Sequence, residues 1–195
     1  MTDKNFNTYK DGLDLEFVRR YCREHGTEMT LERGETLEDI GPPALWVAYI
    51  EQGCFKYVVH NDKEGRDYCT GFAFKGEFVA NYPHCLHGEL SELSIEADMP
   101  CHVIVISGSE LLRIFEENME NMRTSVQVME NLFKMVYGRY LDFYRYTPAE
   151  RYRQLMARCP QIVQQLSLKD IASFLNVTPV WLSKIRREIT FGDEE

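Results

Sequence analysis

Residues 147–158 read TPAERYRQLMAR, residues 167–178 read SLKDIASFLNVT and residues 179–191 read PVWLSKIRREITF. Each stretch opens on a helix-starting signal. Thr147 and Glu150 have the spacing of a capping box, with Pro148 at the first helical position, where its missing N–H costs nothing. Ser167 and Asp170 repeat that spacing, and Thr178-Pro179 repeats the hydroxyl-then-proline start. The first helix should stop at Cys159-Pro160, the second near Leu175 and the third near Ile189. Asn176-Val177 reads as a tight turn, because asparagine tolerates the left-handed backbone. Ile171, Leu175, Val177, Leu182 and Ile185 supply apolar contacts, and Ala172 is small where two helices must cross closely. Helix, three-residue turn, helix is a helix-turn-helix. Its second helix would present Trp181, Ser183, Lys184, Arg186 and Arg187, a mostly polar, basic face suited to phosphates and base edges. A solvated helical hairpin would show a basic face too. Three successive N-cap signals favour DNA binding over that blander reading.

Charge supports one end of the chain for this purpose. The 195 residues carry a net −9, a poor balance for a nucleic-acid partner. Residues 1–146 hold 15 Lys/Arg against 25 Asp/Glu, whereas residues 147–191 hold 7 against 3. Asp193, Glu194 and Glu195 close the chain. A basic module is thus joined to an acidic body.

Upstream lies one long helix. Phe115, Met119, Met122, Val126, Met129, Phe133, Val136, Tyr140 and Phe143 recur at steps of four and three, the seam of a coiled-coil contact. Val128, Leu132 and Met135 form a second row beside it. One helix with two apolar rows needs two surfaces to cover it. A second copy of the same helix would cover one and the N-terminal domain the other.

Further upstream the period changes. A short helix capped by Asp14 carries the stripe Phe17, Val18, Tyr21, Cys22 and stops at Gly26. Short β segments follow at Trp46–Ile50, Phe55–Val59, Tyr68–Phe74 and His102–Ile106, separated by Gln52-Gly53, residues 61–65 and Lys75-Gly76. Many short strands punctuated by glycine predict an antiparallel sandwich or barrel, and no glycine-rich phosphate loop appears. The fold class expected is α+β: an N-terminal antiparallel β-roll of jelly-roll type over residues 1–107, a dimerisation helix over 108–146, and a helix-turn-helix over 147–195. Six scattered cysteines without a CxxC read as reduced thiols, and no apolar run approaches the ~20 residues of a membrane span. Residues 1–10 are polar, unlike a signal peptide. A cytoplasmic location is expected.

Taken in order, these parts resemble the Crp/Fnr superfamily of bacterial transcription regulators. The resemblance is tightest over residues 147–156, 168–179 and 182–187, and looser over Gly34, Gly53, residues 62–65 and Gly76-Glu77-Phe78. It implies a cyclic-nucleotide-binding-like domain, a homodimer on a two-fold symmetric operator in double-stranded DNA, an unidentified small-molecule effector and contact with RNA polymerase. It carries Lys169, Thr178, Trp181, Ser183, Lys184, Arg186 and Arg187 to the DNA, and Met122, Val126, Met129, Phe133, Val136 and Tyr140 to the dimer helix. Gly76, Glu77, Phe78, Ser91 and Glu92 would line the effector pocket. Departures shape the rest. Ser91 stands where cyclic-nucleotide binders place the arginine that pairs with phosphate, between Glu89 and Glu92, which argues against cAMP. Cys22 stands alone where iron–sulfur members cluster cysteines, so no cluster is expected. Pro179 and Val180 replace base-reading residues, Lys184 replaces an arginine, and the wing after the third helix is not expected.

His84-Cys85-Leu86-His87 could hold a transition metal, though one short cluster lacks a fourth ligand, and a polar loop lining an altered pocket accounts for it as well. No catalytic triad or acid/base carboxylate pair stands out, so the chain is not expected to be an enzyme. The alternative to a DNA-reading regulator is a ligand-sensing or protein-interaction module of the same fold that has lost specific DNA reading.

Overall fold

A computed structural model describes residues 6–191, with side chains to Ile189; the acidic residues 193–195 lie outside the described residues. The chain divides into two compact units. One is Gly12–Glu130, and the other consists of the described residues on either side of it.

In the first unit, α1 (Glu16–His25) precedes β1 (Thr27–Leu31), β2 (Thr36–Glu38), β3 (Trp46–Gln52), β4 (Cys54–Asn61), β5 (Arg66–Phe74) and β6 (Phe78–Ala80). Then come α2 (His84–His87), β7 (Ser94–Ala97), β8 (Cys101–Ser107), α3 (Gly108–Glu116) and the start of α4 (Met119–Arg145). The strands build two four-stranded antiparallel sheets, ordered β1-β8-β3-β6 and β2-β7-β4-β5. Alternation on the central strands explains the layers. Ala48 and Ile50 of β3, with Val103 and Val105 of β8, enter the core between the sheets beside Phe55, Ile95 and Val79. Val47, Tyr49, Ile104 and Ile106 point the other way, onto Val18 and Cys22 of α1 and Leu111, Ile114 and Phe115 of α3. A strand covered on both faces reads as an unbroken apolar run, which is why β3 and β8 were legible in the sequence. At the end of α1, a Cβ on Gly26 would lie 2.5 Å from the Cys22 carbonyl and 2.6 Å from Ile104 Cγ2, so only glycine lets the helix stop against β8.

Two expectations need correcting here. The heptad seam does not run through Phe115, which is buried on α3. The Asn118 side chain accepts hydrogen bonds from the N–H groups of Glu120 and Asn121 at 3.0 and 2.9 Å and caps a new helix. His84–His87 is a helical turn rather than a loop, with Cys85 and Leu86 in the helix-side core. All six cysteines are free and buried. Burial pushes the Cys22 thiol up to about 11 and Cys85 up to about 12, and raises Cys54 and Cys101 as well. The native protein should therefore resist iodoacetamide at pH 8 and take up six labels once denatured, which mass spectrometry would count.

The second unit holds the rest of α4, followed by α5 (Pro148–Arg158), α6 (Ile162–Gln165), α7 (Leu168–Phe174) and α8 (Pro179–Phe191). Its N-terminal piece contains a 3-10 turn at Thr8–Lys10, with Phe6, Asn7 and Tyr9 buried. Tyr152, Leu155, Ile162, Leu166, Ile171, Ala172, Leu175, Leu182 and Ile185 are its other buried groups of note.

Candidate nucleic-acid interface

The helix-turn-helix forms from the caps that the sequence announced. Thr147 and Glu150 make a reciprocal capping box at α5. Ser167 Oγ accepts from the Asp170 N–H at 3.1 Å to start α7. Thr178 Oγ1 accepts from the Trp181 N–H at 3.2 Å to start α8. Between α7 and α8, Asn176 takes φ 55°, and the Val177 N–H donates to the Ala172 carbonyl at 2.9 Å. Ala172 is fully buried, so its small size lets the two helices approach. Arg151 ties α5 to the turn: its guanidinium donates to the Leu175 carbonyl at 2.9 Å and lies 4.5 Å from the Phe143 ring centre. Burial lowers its pKa, but an arginine stays charged there.

On α8 the buried groups Leu182 and Ile185 fix the rotation of the helix. Val180, Lys184 and Arg187, spaced i, i+4, i+7, then share the opposite face and are exposed. Arg186 and Lys169 are exposed too, whereas Trp181 and Ser183 are half-buried and flank that face rather than lead it. Of the five residues expected to be exposed on α8, Lys184, Arg186 and Arg187 are exposed, and Trp181 and Ser183 only in part. Lys184 pairs only loosely with Glu188, at 3.8 Å with both side chains in solvent, and an exchange for a DNA group would forfeit little. Val180 is 81% exposed, although the sequence reading did not count it on the outer face of α8. Its signal was an aliphatic residue off the Leu182–Ile185 stripe at the start of the second helix. An aliphatic side chain there suits a thymine methyl group.

In each half of α4 the seam is bare within one chain. Met122, Val126 and Met129 are exposed in the first unit, and Phe133, Val136 and Tyr140 in the second. Tyr137 and Tyr144, which the periodicity did not single out, extend the row in the second unit. Phe133 and Tyr137 stack at 5.5 Å, and Tyr140 and Tyr144 meet edge-on at 5.1 Å. Of the flanking row, Val128 is buried and Leu132 and Met135 are half-buried, as a second apolar stripe should be.

The residues expected to line an effector pocket are mostly engaged in the fold. Gly76 sits at φ 81° in the β5–β6 turn, and buried Glu77 accepts from the Phe74 N–H at 3.1 Å across it. Phe78 packs on Tyr49 at 5.3 Å. The buried Ser91 hydroxyl donates to the Leu93 carbonyl at 2.6 Å and accepts from Asn81 Nδ2 at 2.8 Å, and Glu92 faces solvent. A separate groove of about 600 Å³ runs between α1, α3 and the start of α4, where Arg20, Tyr21, Arg113 and Asn121 mix with Glu24 and Glu117. His84, Cys85 and His87 do not converge: Cys85 is buried, His87 is exposed, and His84 lies 3.7 Å from Glu89. Among the described residues no group of three or more His, Cys, Asp or Glu side chains is placed to hold a metal.

No protein-family model and no curated protein sequence matches the chain. Solved structures do. FixK2 from Bradyrhizobium japonicum superposes with a TM-score of 0.73 at 18% identity, over 85% of this chain and 84% of that one. A protein of Eubacterium rectale described as a transcriptional regulator of the Crp/Fnr family gives 0.67 at 13% identity, over 95% and 87%. The chain has the Crp/Fnr fold. The c-di-GMP-responsive global regulator CLP of Xanthomonas campestris shares the Crp/Fnr fold too, with a TM-score of 0.67 at 15% identity over 91% and 92%. Among the described residues no helix is long and apolar enough to cross a membrane.

Proposed function

We propose that the chain is a sequence-specific DNA-binding transcription regulator that acts as a homodimer, by binding rather than catalysis. The observation that carries this reading is the outer face of α8: Val180, Lys184 and Arg187 exposed in line on a helix whose rotation Leu182 and Ile185 fix. Residues 1–107, 108–146 and 147–195 would serve as effector domain, dimerisation segment and DNA-binding domain, in the cytoplasm, with RNA polymerase and a small-molecule effector as further partners. Thr178 and Lys169 would meet phosphates, together with Arg187 near the end of α8. Lys184 and Val180 would face the major groove, flanked by Trp181, Ser183 and Arg186.

Selection from random duplexes, followed by gel shifts at two salt concentrations, tests the reading. Lys184→Ala should lower the preference for the selected operator over random DNA. Lys169→Ala should weaken both alike and reduce the salt slope by about one unit. Equal losses on both DNAs from Lys184→Ala would make Lys184 a phosphate anchor and move base reading to its neighbours. Recovery of no preferred duplex would overturn the proposal itself.

The same reading gives the β-roll an effector other than a cyclic mononucleotide. The Ser91 hydroxyl is spent on Asn81 and Leu93, and Glu77 is spent closing a turn. A buried phosphate monoanion needs a cation or several free donors. Calorimetry should show no saturable cAMP or cGMP binding tighter than about 10 μM, roughly −7 kcal/mol. Saturation below that concentration would point to a cation reaching the site from another strand, with Arg66 the first to substitute.

A further inference from the structure

Phe6, Asn7 and Tyr9 pack among the helices of the second unit, and nothing in their sequence announces it. Phe6 is buried with its ring centre 5.4 Å from that of Phe174, at the end of α7. Arg139 of α4 lies over both rings, 4.4 Å from Phe6 and 5.7 Å from Phe174. The same guanidinium donates to the Phe6 carbonyl at 3.0 Å and to Asn7 Oδ1 at 3.1 Å. Two turns earlier on α4, Asn131 Nδ2 donates to the Tyr9 carbonyl at 3.0 Å. Tyr9 and Asn7 are buried as well. The segment is thus an aromatic wedge whose backbone carbonyls are held by side-chain donors of α4.

We propose that Phe6–Lys10 is a positioning strap that fixes α7, and with it the recognition helix, against α4. The proposal rests on the DNA-binding reading above and adds its regulation. A dimer gains from its second half-site only if both recognition helices are already held at one helical turn of spacing. The strap raises the fraction of molecules in that arrangement, and whatever releases Phe6 lowers operator affinity without touching a DNA contact. Phe6 and Arg139 are therefore positioning residues.

The test uses the full chain carrying Phe6→Ala, Phe6→Tyr or Arg139→Ala, with two DNAs: the selected operator and one half-site. Phe6→Ala and Arg139→Ala should each weaken operator binding about tenfold, the loss expected if only about a tenth of the molecules stay positioned. Half-site affinity should stay within about twofold, and Phe6→Tyr should restore the operator value. Loss of both affinities alike, or of neither, would overturn the strap. Amide hydrogen exchange decides the matter without DNA. Phe6→Ala should speed exchange across residues 168–174 while leaving β3 and β8 protected. If the unaltered chain prefers no duplex, the DNA-binding reading falls, and unchanged exchange at α7 is the separate result that would end the strap.

Discussion

Phe133→Glu should leave the protein monomeric at micromolar concentration, as sedimentation would show, while its circular dichroism stays that of the parent. Phe133 is 65% exposed in the single chain, and Val136, Tyr137 and Tyr140 on the same part of α4 are exposed too. One or two apolar residues in solvent are ordinary; Phe133, Val136, Tyr137, Tyr140, Phe143 and Tyr144, all exposed within twelve residues of one helix, are not. The steps of four and three place this row where a copy of the same helix would interdigitate with it. Two-fold pairing would bring the two substituted carboxylates to the seam, each uncompensated and stripped of water. Removing the apolar contact and burying like charges together should weaken the dimer by about 3–5 kcal/mol. A dimer that survives the substitution would show that the heptad row pairs with something other than itself.

What the sequence revealed and what it hid follow from the range of the interactions. The caps of α5, α7 and α8 are satisfied within three residues, so Thr147, Ser167 and Thr178 declared them locally. The α4 seam repeats over many turns and survives one error in its first position. That error came from the pattern and not from range: Phe115 and Met119 keep the step of four across the break, and only Asn118, an asparagine just before the helix, marked the cap. Strands β1, β2, β6 and β7 were not read as strands, for they span three to five residues and lean on neighbours distant in sequence. Thr36-Leu37-Glu38 has no periodicity to detect, yet buried Glu38 accepts the N–H groups of Leu45 and Trp46 at 2.8 and 2.7 Å and so holds the turn into β3. The docking of Phe6 on Arg139 joins residues 133 positions apart, and no local pattern could have shown it.

Gly108→Ala should cost the β-roll about 3 kcal/mol or more, even though alanine is the better helix former by about 1 kcal/mol. Gly108 is the first residue of α3, after the Ser107 cap, and its N–H donates to the Leu45 carbonyl at 2.8 Å. A methyl group on it would lie 1.9 Å from the Cys85 carbonyl oxygen, 2.3 Å from the carbonyl carbon and 3.0 Å from the Leu86 N. All three are backbone atoms of α2, so no side chain can rotate away. Either α3 lifts from its cap or α2 leaves the core that Cys85 and Leu86 share with Val18, Ile106 and Leu111. Trp46 and Trp181 are the chain's two tryptophans. In a Trp181→Phe background, Trp46 alone reports the β-roll, whose thermal midpoint should fall by roughly 10 °C. A midpoint within about 2 °C of the parent would mean that α2 is not seated on α3. His84–His87 would then be free to act as the loop that its sequence suggests, and its histidines would merit a metal titration after all.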